Sequence, residues 1–122
     1  MHALIIDDSR AIRLILRRML TDLGVETTEA GDGGEALGLI DAGLRPDLVL
    51  VDWNMPVLSG LEFIEQVRQP PRSSSAKIVM VTTETDVPQV VRALSAGADE
   101  YVMKPFTTDA ILDKLRLLGF EL

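Results

Sequence analysis

The sequence predicts an α/β fold: one doubly wound parallel sheet in a (βα)5 arrangement, five strands alternating with five helices. Three observations predict it. Short runs of branched aliphatics recur along the chain, and longer segments whose apolar residues return every three or four positions separate them. Most of the runs are continuously apolar, as parallel strands buried on both faces must be. The first run, Ala3 to Asp7, ends in the adjacent carboxylates Asp7 and Asp8. An amphipathic helix follows. Ile12, Ile15, Leu16, Met19 and Leu23 fall on one face, Arg10, Arg13, Arg17 and Arg18 lie largely on a solvated face, and Gly24 is its stop. Val25 to Ala30 mixes Thr and Glu with Val and Ala, which suits an edge strand. A second helix runs from Gly34 to Ala42 with Gly43 as its stop, and Leu48 to Asp52 reads as a central strand. The third helix, Leu58 to Arg68, is capped near Ser59. It ends before Gln69-Pro70-Pro71-Arg72-Ser73-Ser74-Ser75, a surface loop and the most linker-like stretch of the chain. Lys77 to Thr82 is the fourth strand, Pro88 to Ala96 the fourth helix with Gly97 as its stop, Glu100 to Lys104 the fifth strand and Thr108 to Leu118 the last helix. Such an alternation implies right-handed crossovers between parallel strands.

The 122 residues read as one domain, 1–122. A chain of this size buries about 65% of its unfolded surface, whereas two halves would each be marginal. With 47% hydrophobic and 25% charged residues, the composition is that of an ordinary globular protein. Twelve Lys and Arg against 19 Asp and Glu leave a net charge of −7, which argues against nucleic acid as the main contact. There is no cysteine, and the single histidine, His2, stands beside the start. Disulfides, a thiol nucleophile, a Cys or His zinc site and a Ser-His-Asp relay are thereby disfavoured. The apolar opening Ala3-Leu4-Ile5-Ile6 is too short for a signal peptide, and no run approaches membrane-spanning length. The expected location is cytoplasmic, with no membrane partner.

Ligands of doubly wound sheets bind at the carboxyl ends of the strands. Four of the five strands end there in Asp7 with Asp8, Asp52, Thr82 and Lys104. Asp7-Asp8 alone would read as a solvated turn, and Thr82-Thr83 as mere β-formers; Asp52 and Lys104 turn them into a constellation. Three neighbouring carboxylates repel one another unless a cation sits among them. Oxygen-only donors suit a hard ion such as Mg²⁺, which commonly takes a phosphate oxygen as a further ligand. Lys104 adds a mobile positive charge and Thr82 a hydroxyl donor, so the set describes a phosphoryl-transfer site. At least one of Asp7 and Asp8 can turn to a metal. Asp52, alone at the end of its strand, is the candidate nucleophile, and the acyl phosphate it would form is labile.

Ala3-Leu4-Ile5-Ile6-Asp7-Asp8-Ser9, Leu48-Val49-Leu50-Val51-Asp52-Trp53-Asn54-Met55-Pro56, Val81-Thr82-Thr83-Glu84 and Tyr101-Val102-Met103-Lys104-Pro105-Phe106 together resemble the receiver domain of two-component response regulators. Each motif alone is weak; four in order across the whole chain are specific. The Asp-Trp-Asn-Met-Pro run followed by Gly60-Leu61-Glu62 most resembles the stand-alone chemotaxis branch, the CheY-like proteins. The resemblance implies a flavodoxin-like sheet of order 2-1-3-4-5. It implies that Asp52 is the phosphoacceptor and takes its phosphoryl group from a phosphohistidine of a sensor histidine kinase. Asp8, the Asp52 carboxylate and the Asn54 backbone carbonyl would hold Mg²⁺, with Asp7 acting through water. Lys104 and Thr82 would hold phosphoryl oxygens. Thr82 would then move toward the phosphate and Tyr101 turn inward, altering a docking face made of the fourth helix, fifth strand and fifth helix. Asn54 and Glu84 would modulate phosphate lifetime, and a cis peptide is implied at Lys104-Pro105. Trp53 has no chemical task and is expected to pack beside the site.

Two positions depart from the family pattern. Ser59-Gly60 stands where many receivers have Asp-Gly, a change at a helix cap. Thr83 stands where a small residue is usual, and its bulk is expected to restrict access to Asp52.

The expected role is a signalling protein and not an enzyme, because the chain ends at Leu122 with no room for an output domain. Its downstream partner would be a flagellar motor switch. The alternative is a phosphorelay shuttle that passes the phosphate to a histidine phosphotransfer protein. A flavin-binding electron carrier of the same fold is a remote alternative, since Asp7 and Asp8 would repel an FMN phosphate. A phosphatase would need a carboxylic acid two residues after Asp52, where Asn54 stands.

Overall fold

The apolar runs form strands and the periodic segments between them form helices. The computed structural model describes residues 1–83 and 87–122. Among these, strict alternation holds: β1 (His2–Ile6), α1 (Arg10–Asp22), β2 (Glu26–Ala30), α2 (Gly33–Asp41), β3 (Leu48–Val51), α3 (Gly60–Arg68), β4 (Lys77–Thr82), α4 (Val87–Ala96), β5 (Glu100–Met103) and α5 (Thr108–Leu117). The strands pair in parallel in the order β2-β1-β3-β4-β5, which puts the polar-mixed β2 at an edge as expected.

Alternation along the strands splits the core into two layers. Ala3, Ile5, Leu48, Leu50, Val79 and Val81 pack with Leu16 and Leu20 of α1 and Ile111 and Leu115 of α5. Leu4, Ile6, Val49, Val51, Ile78 and Met80 pack on the other side with Leu37 of α2, Phe63, Ile64 and Val67 of α3, and Ala93 of α4. Each large side chain buried this way contributes about 1.5–3 kcal/mol relative to exposure.

Three strands end one residue earlier than the sequence suggests, before Asp7, Asp52 and Lys104. The cause is visible in the hydrogen bonds. Asp7 N–H still donates to Ala30 O (3.2 Å), Asp52 N–H to Ile6 O (3.0 Å) and Lys104 N–H to Thr82 O (2.9 Å). Each amide closes the ladder of its strand while the polar side chain beyond it stands at the rim.

Two expectations about surfaces need correction. Ile15 does not share the buried face of α1: it is 44% exposed, and Leu20 is buried in its stead. Nor are all the arginines of α1 merely solvated, because Arg13 (3.2 Å) and Arg17 (3.1 Å) both pair with Glu29 of β2. The segment after α3 is the surface loop the sequence predicts, and it is tied down. Ser74 N–H donates to Val67 O (2.9 Å), and Arg72 pairs through two 2.9 Å bonds with Asp41, whose carboxyl it holds below its ordinary pKa. Arg68 ties this segment inward. Its Nη1 donates to the Ser74 (2.8 Å) and Ala76 (2.6 Å) carbonyls, while Nη2 reaches Gly97 O (2.8 Å) and Asp99 (2.9 Å). Gly97 ends α4 at φ +126°, where a Cβ would lie 2.7 Å from Arg68 Cγ, so the stop serves both backbone and packing.

Candidate functional site

The carboxyl ends of β1, β3, β4 and β5 bring Asp7, Asp8, Asp52, Thr82 and Lys104 to one rim. Carboxylate oxygens of Asp7, Asp8 and Asp52 lie within 4.8 Å of one another. Asp7 and Asp52 are buried and Asp8 is exposed. Lys104 Nζ reaches across from β5 to Asp7 Oδ2 at 2.8 Å and to Asp52 Oδ1 at 3.6 Å. The Lys104-Pro105 peptide is cis, as the resemblance implies. Asp7 Oδ1 accepts the Ser9 N–H (2.9 Å), so Ser9 serves twice: its own Oγ caps α1 by accepting from Ile12 N–H. Thr82 is buried at the end of β4 beside this cluster.

Burial pushes the Asp52 carboxyl above its ordinary pKa. Lys104 pulls it down, the Asp7 charge raises it, the Trp53 amide lowers it and the Asp8 charge raises it. The donor set is all oxygen and matches what a hard divalent cation requires.

The loop after β3 is built to deliver Asp52. Gly60 N–H donates to Trp53 O (2.9 Å), and a Cβ on Gly60 would lie 2.2 Å from the Asp52 carbonyl oxygen. Only glycine lets α3 start against the Asp52 backbone. Ser59 and Glu62 close a capping box there, so the serine that replaces the usual aspartate is a full helix cap. Asn54 is exposed in this loop, and Thr83 is exposed after β4. Glu84 lies outside the described residues. Tyr101 is half-buried on β5. With Trp53, Met80, Thr82, Ala93 and Leu94 it lines a narrow apolar cleft under α4, and Lys114 Nζ sits 5.7 Å from its ring centroid. Trp53 thus packs beside the site as expected.

Arg13 escaped the sequence reading. It donates from Nη1 to the Asp7 carbonyl oxygen, an interaction signalled only by its place one turn into α1 after the acid pair. Its ionic partner Glu29 is brought to it by strand order, which local sequence does not carry.

A parallel sheet of order 2-1-3-4-5 with three carboxylates and a lysine at its carboxyl rim defines a flavodoxin-like signalling class. Residues 3–116 match the response regulator receiver domain, and the chain belongs to that family of two-component proteins. It is similar to the chemotaxis protein CheY1 of Helicobacter pylori, 38% identical over 119 residues that cover 97% of this chain and 96% of that one. Similarity to the chemotaxis protein CheY of Pseudomonas aeruginosa is 38% over 116 residues, 94% of this chain and 93% of the relative. Among solved structures, the chemotaxis protein CheY4 of Vibrio cholerae superposes with a TM-score of 0.87 at 35% identity, covering 95% of this chain and 96% of that chain. Among the described residues, no helix is long and apolar enough to cross a membrane.

Proposed function

We propose that the protein is a CheY-like phosphoacceptor, phosphorylated on Asp52 by a sensor histidine kinase and acting in chemotaxis or motility control from the cytoplasm. The gathering of the Asp7, Asp8 and Asp52 oxygens within 4.8 Å, with Lys104 among them, carries this reading. Asp8, Asp52 and the Asn54 carbonyl would hold Mg²⁺ directly and Asp7 through water. Bound there, the ion neutralises carboxylate and phosphoryl charge that would otherwise repel. The Asp52 carboxylate oxygen attacks phosphorus in line with the phosphohistidine nitrogen; the P–N bond breaks as the O–P bond forms, and the nitrogen leaves on the kinase. Lys104, already 3.6 Å from Asp52, follows the charge onto the phosphoryl oxygens. Thr82 supplies a hydroxyl to the same oxygens. Asn54, Thr83 and Glu84 tune how readily water reaches the acyl phosphate. Catalysis here is limited to assisting gain and loss of the protein's own phosphoryl group.

Movement of Thr82 toward phosphate opens the cleft under α4 to the Tyr101 ring, the switching role we assign to that pair. The readout face is α4, β5 and α5, where Val87, Val91, Leu94 and Met103 are exposed. The relatives are chemotaxis proteins, which favours a flagellar motor switch as the downstream partner. Acetyl phosphate with Mg²⁺ is expected to label the wild type at one site and to leave Asp52→Asn unlabelled; equal labelling of the variant refutes the assignment. Titrating the labelled protein against a motor-switch peptide and a phosphotransfer domain separates motility output from a phosphorelay shuttle.

A further inference from the structure

We propose that Arg13 is a positioning residue for the acid pair: it fixes the peptide joining Asp7 to Asp8 and so sets the divalent-cation affinity of the Asp7–Asp8–Asp52 cluster. The inference rests on reading that cluster as a cation site. Each polar group of Asp7 is held by a different part of the fold. Its N–H donates to Ala30 O of β2 (3.2 Å), Oδ1 accepts from Ser9 N–H (2.9 Å), Oδ2 accepts from Lys104 Nζ (2.8 Å), and its carbonyl accepts from Arg13 Nη1. That carbonyl belongs to the same planar peptide as the Asp8 nitrogen. Holding the plane at its oxygen therefore sets the direction in which the exposed Asp8 leaves the strand end. Two neighbouring carboxylates would otherwise turn apart.

Arg13 is itself held firmly enough for this task. Its Nε pairs with Glu29 Oε1 at 3.2 Å, and its side chain is 16% exposed. Glu29 stands opposite Ile5 in the β1–β2 register and is gripped from its other oxygen by Arg17 (3.1 Å). A guanidinium can bond a carboxylate and a carbonyl at once through its fork, which the ammonium of lysine cannot reproduce.

The two effects a cation at position 13 can have on Mg²⁺ are opposite in sign. As a nearby positive charge it weakens binding, so its loss would tighten it; as a positioning residue its loss loosens binding. Calorimetry with MgCl2 alone, supported by the fluorescence of Trp53, reads the sign in wild type, Arg13→Met, Arg13→Lys and Arg17→Met. The Mg²⁺ Kd of Arg13→Met is expected to rise about 10-fold, as for other residues that orient metal ligands. Arg13→Lys, with charge but no fork, is also expected to bind more weakly than wild type and serves as the test if the Met variant fails to fold. Arg17→Met frees one oxygen of Glu29 but leaves the Arg13 bonds to Glu29 Oε1 and to the Asp7 carbonyl in place, so its Kd is expected to rise less than that of either Arg13 variant even if its Tm falls. An unchanged or tighter Kd in the Arg13 variants, or an equal loss in Arg17→Met, overturns the proposal while the cation site stands. No Mg²⁺ uptake by wild type overturns the cation site and this proposal with it.

Discussion

Asp52 has a folded-state pKa above its ordinary value, chiefly because burial disfavours the charge, with Asp7 and Asp8 adding to the effect against Lys104 and the Trp53 amide. The folded protein therefore binds this proton more tightly than the unfolded chain. Below the ordinary carboxylate pKa of about 3.9 both states are protonated and the charge costs nothing. As pH rises through the raised folded value the cost develops, and above it the cost is constant. In EDTA, Asp52→Asn is accordingly expected to unfold at higher urea than wild type at neutral pH, with the gap closing toward pH about 4. Urea midpoints measured across that range check it; a gap that ignores pH would mean that Asp52 feels no such burial. The same residue shows how far sequence reaches. Asp52, Asp7, Asp8 and Lys104 were legible because strand ends of a parallel sheet converge. The part played by Arg13 was not, because its partners Glu29 and the Asp7 carbonyl meet it only through the β2–β1 pairing.

The loop from Asp52 into α3 combines a strained position with one that admits no side chain. Val57 is β-branched, 84% exposed and sits at φ 70°, in the left-handed region that costs an L residue about 1–2 kcal/mol. Val57→Asn is expected to raise stability by about 1 kcal/mol, since asparagine tolerates this conformation. Gly60→Ala pushes a Cβ onto the Asp52 carbonyl oxygen and is expected to lower stability by about 1–3 kcal/mol. Because the displaced atom belongs to Asp52, acetyl phosphate labelling should slow as well. Urea unfolding and a labelling time course on both variants check this; a normal labelling rate in Gly60→Ala would show that the loop absorbs the clash elsewhere. The cap at Ser59 was anticipated, whereas the true start of α3 at Gly60, two residues later than Leu58, follows from this close approach.

The rim that carries Asp52 and the opposite end of the sheet are held by separate devices. At the far end, Arg68 joins α3, the segment before β4 and the turn between α4 and β5. Asp99, its carboxylate partner, also accepts the Ile78 N–H at 2.8 Å. Arg68→Met removes the guanidinium donor from these carbonyls and leaves the partly buried Asp99 carboxylate with the Ile78 N–H but without its cation, and about 3 kcal/mol of stability is expected to be lost. Against a typical total of about 5–15 kcal/mol the protein still folds. Asp52 labelling should continue, because the clasp lies at the amino ends of the strands. Urea denaturation and labelling of the variant test both halves of this statement.

Hydrophobic period and strand-end polarity were enough to specify an alternating α/β sheet, its edge strand and the residues of its reactive rim, because burial on both faces and convergence of parallel strands leave few other solutions. Strand neighbours were needed for the rest. Arg13 meets Glu29 because β2 lies beside β1, and the proline- and serine-rich segment is tied down because Arg68 and Asp41 stand over it. Ile15 and Leu20 flank the same apolar stripe of α1, yet only Leu20 is buried, because packing against the sheet covers one flank and leaves the other to solvent. Local pattern records which residues prefer the interior; long-range pairing alone says which of them meet.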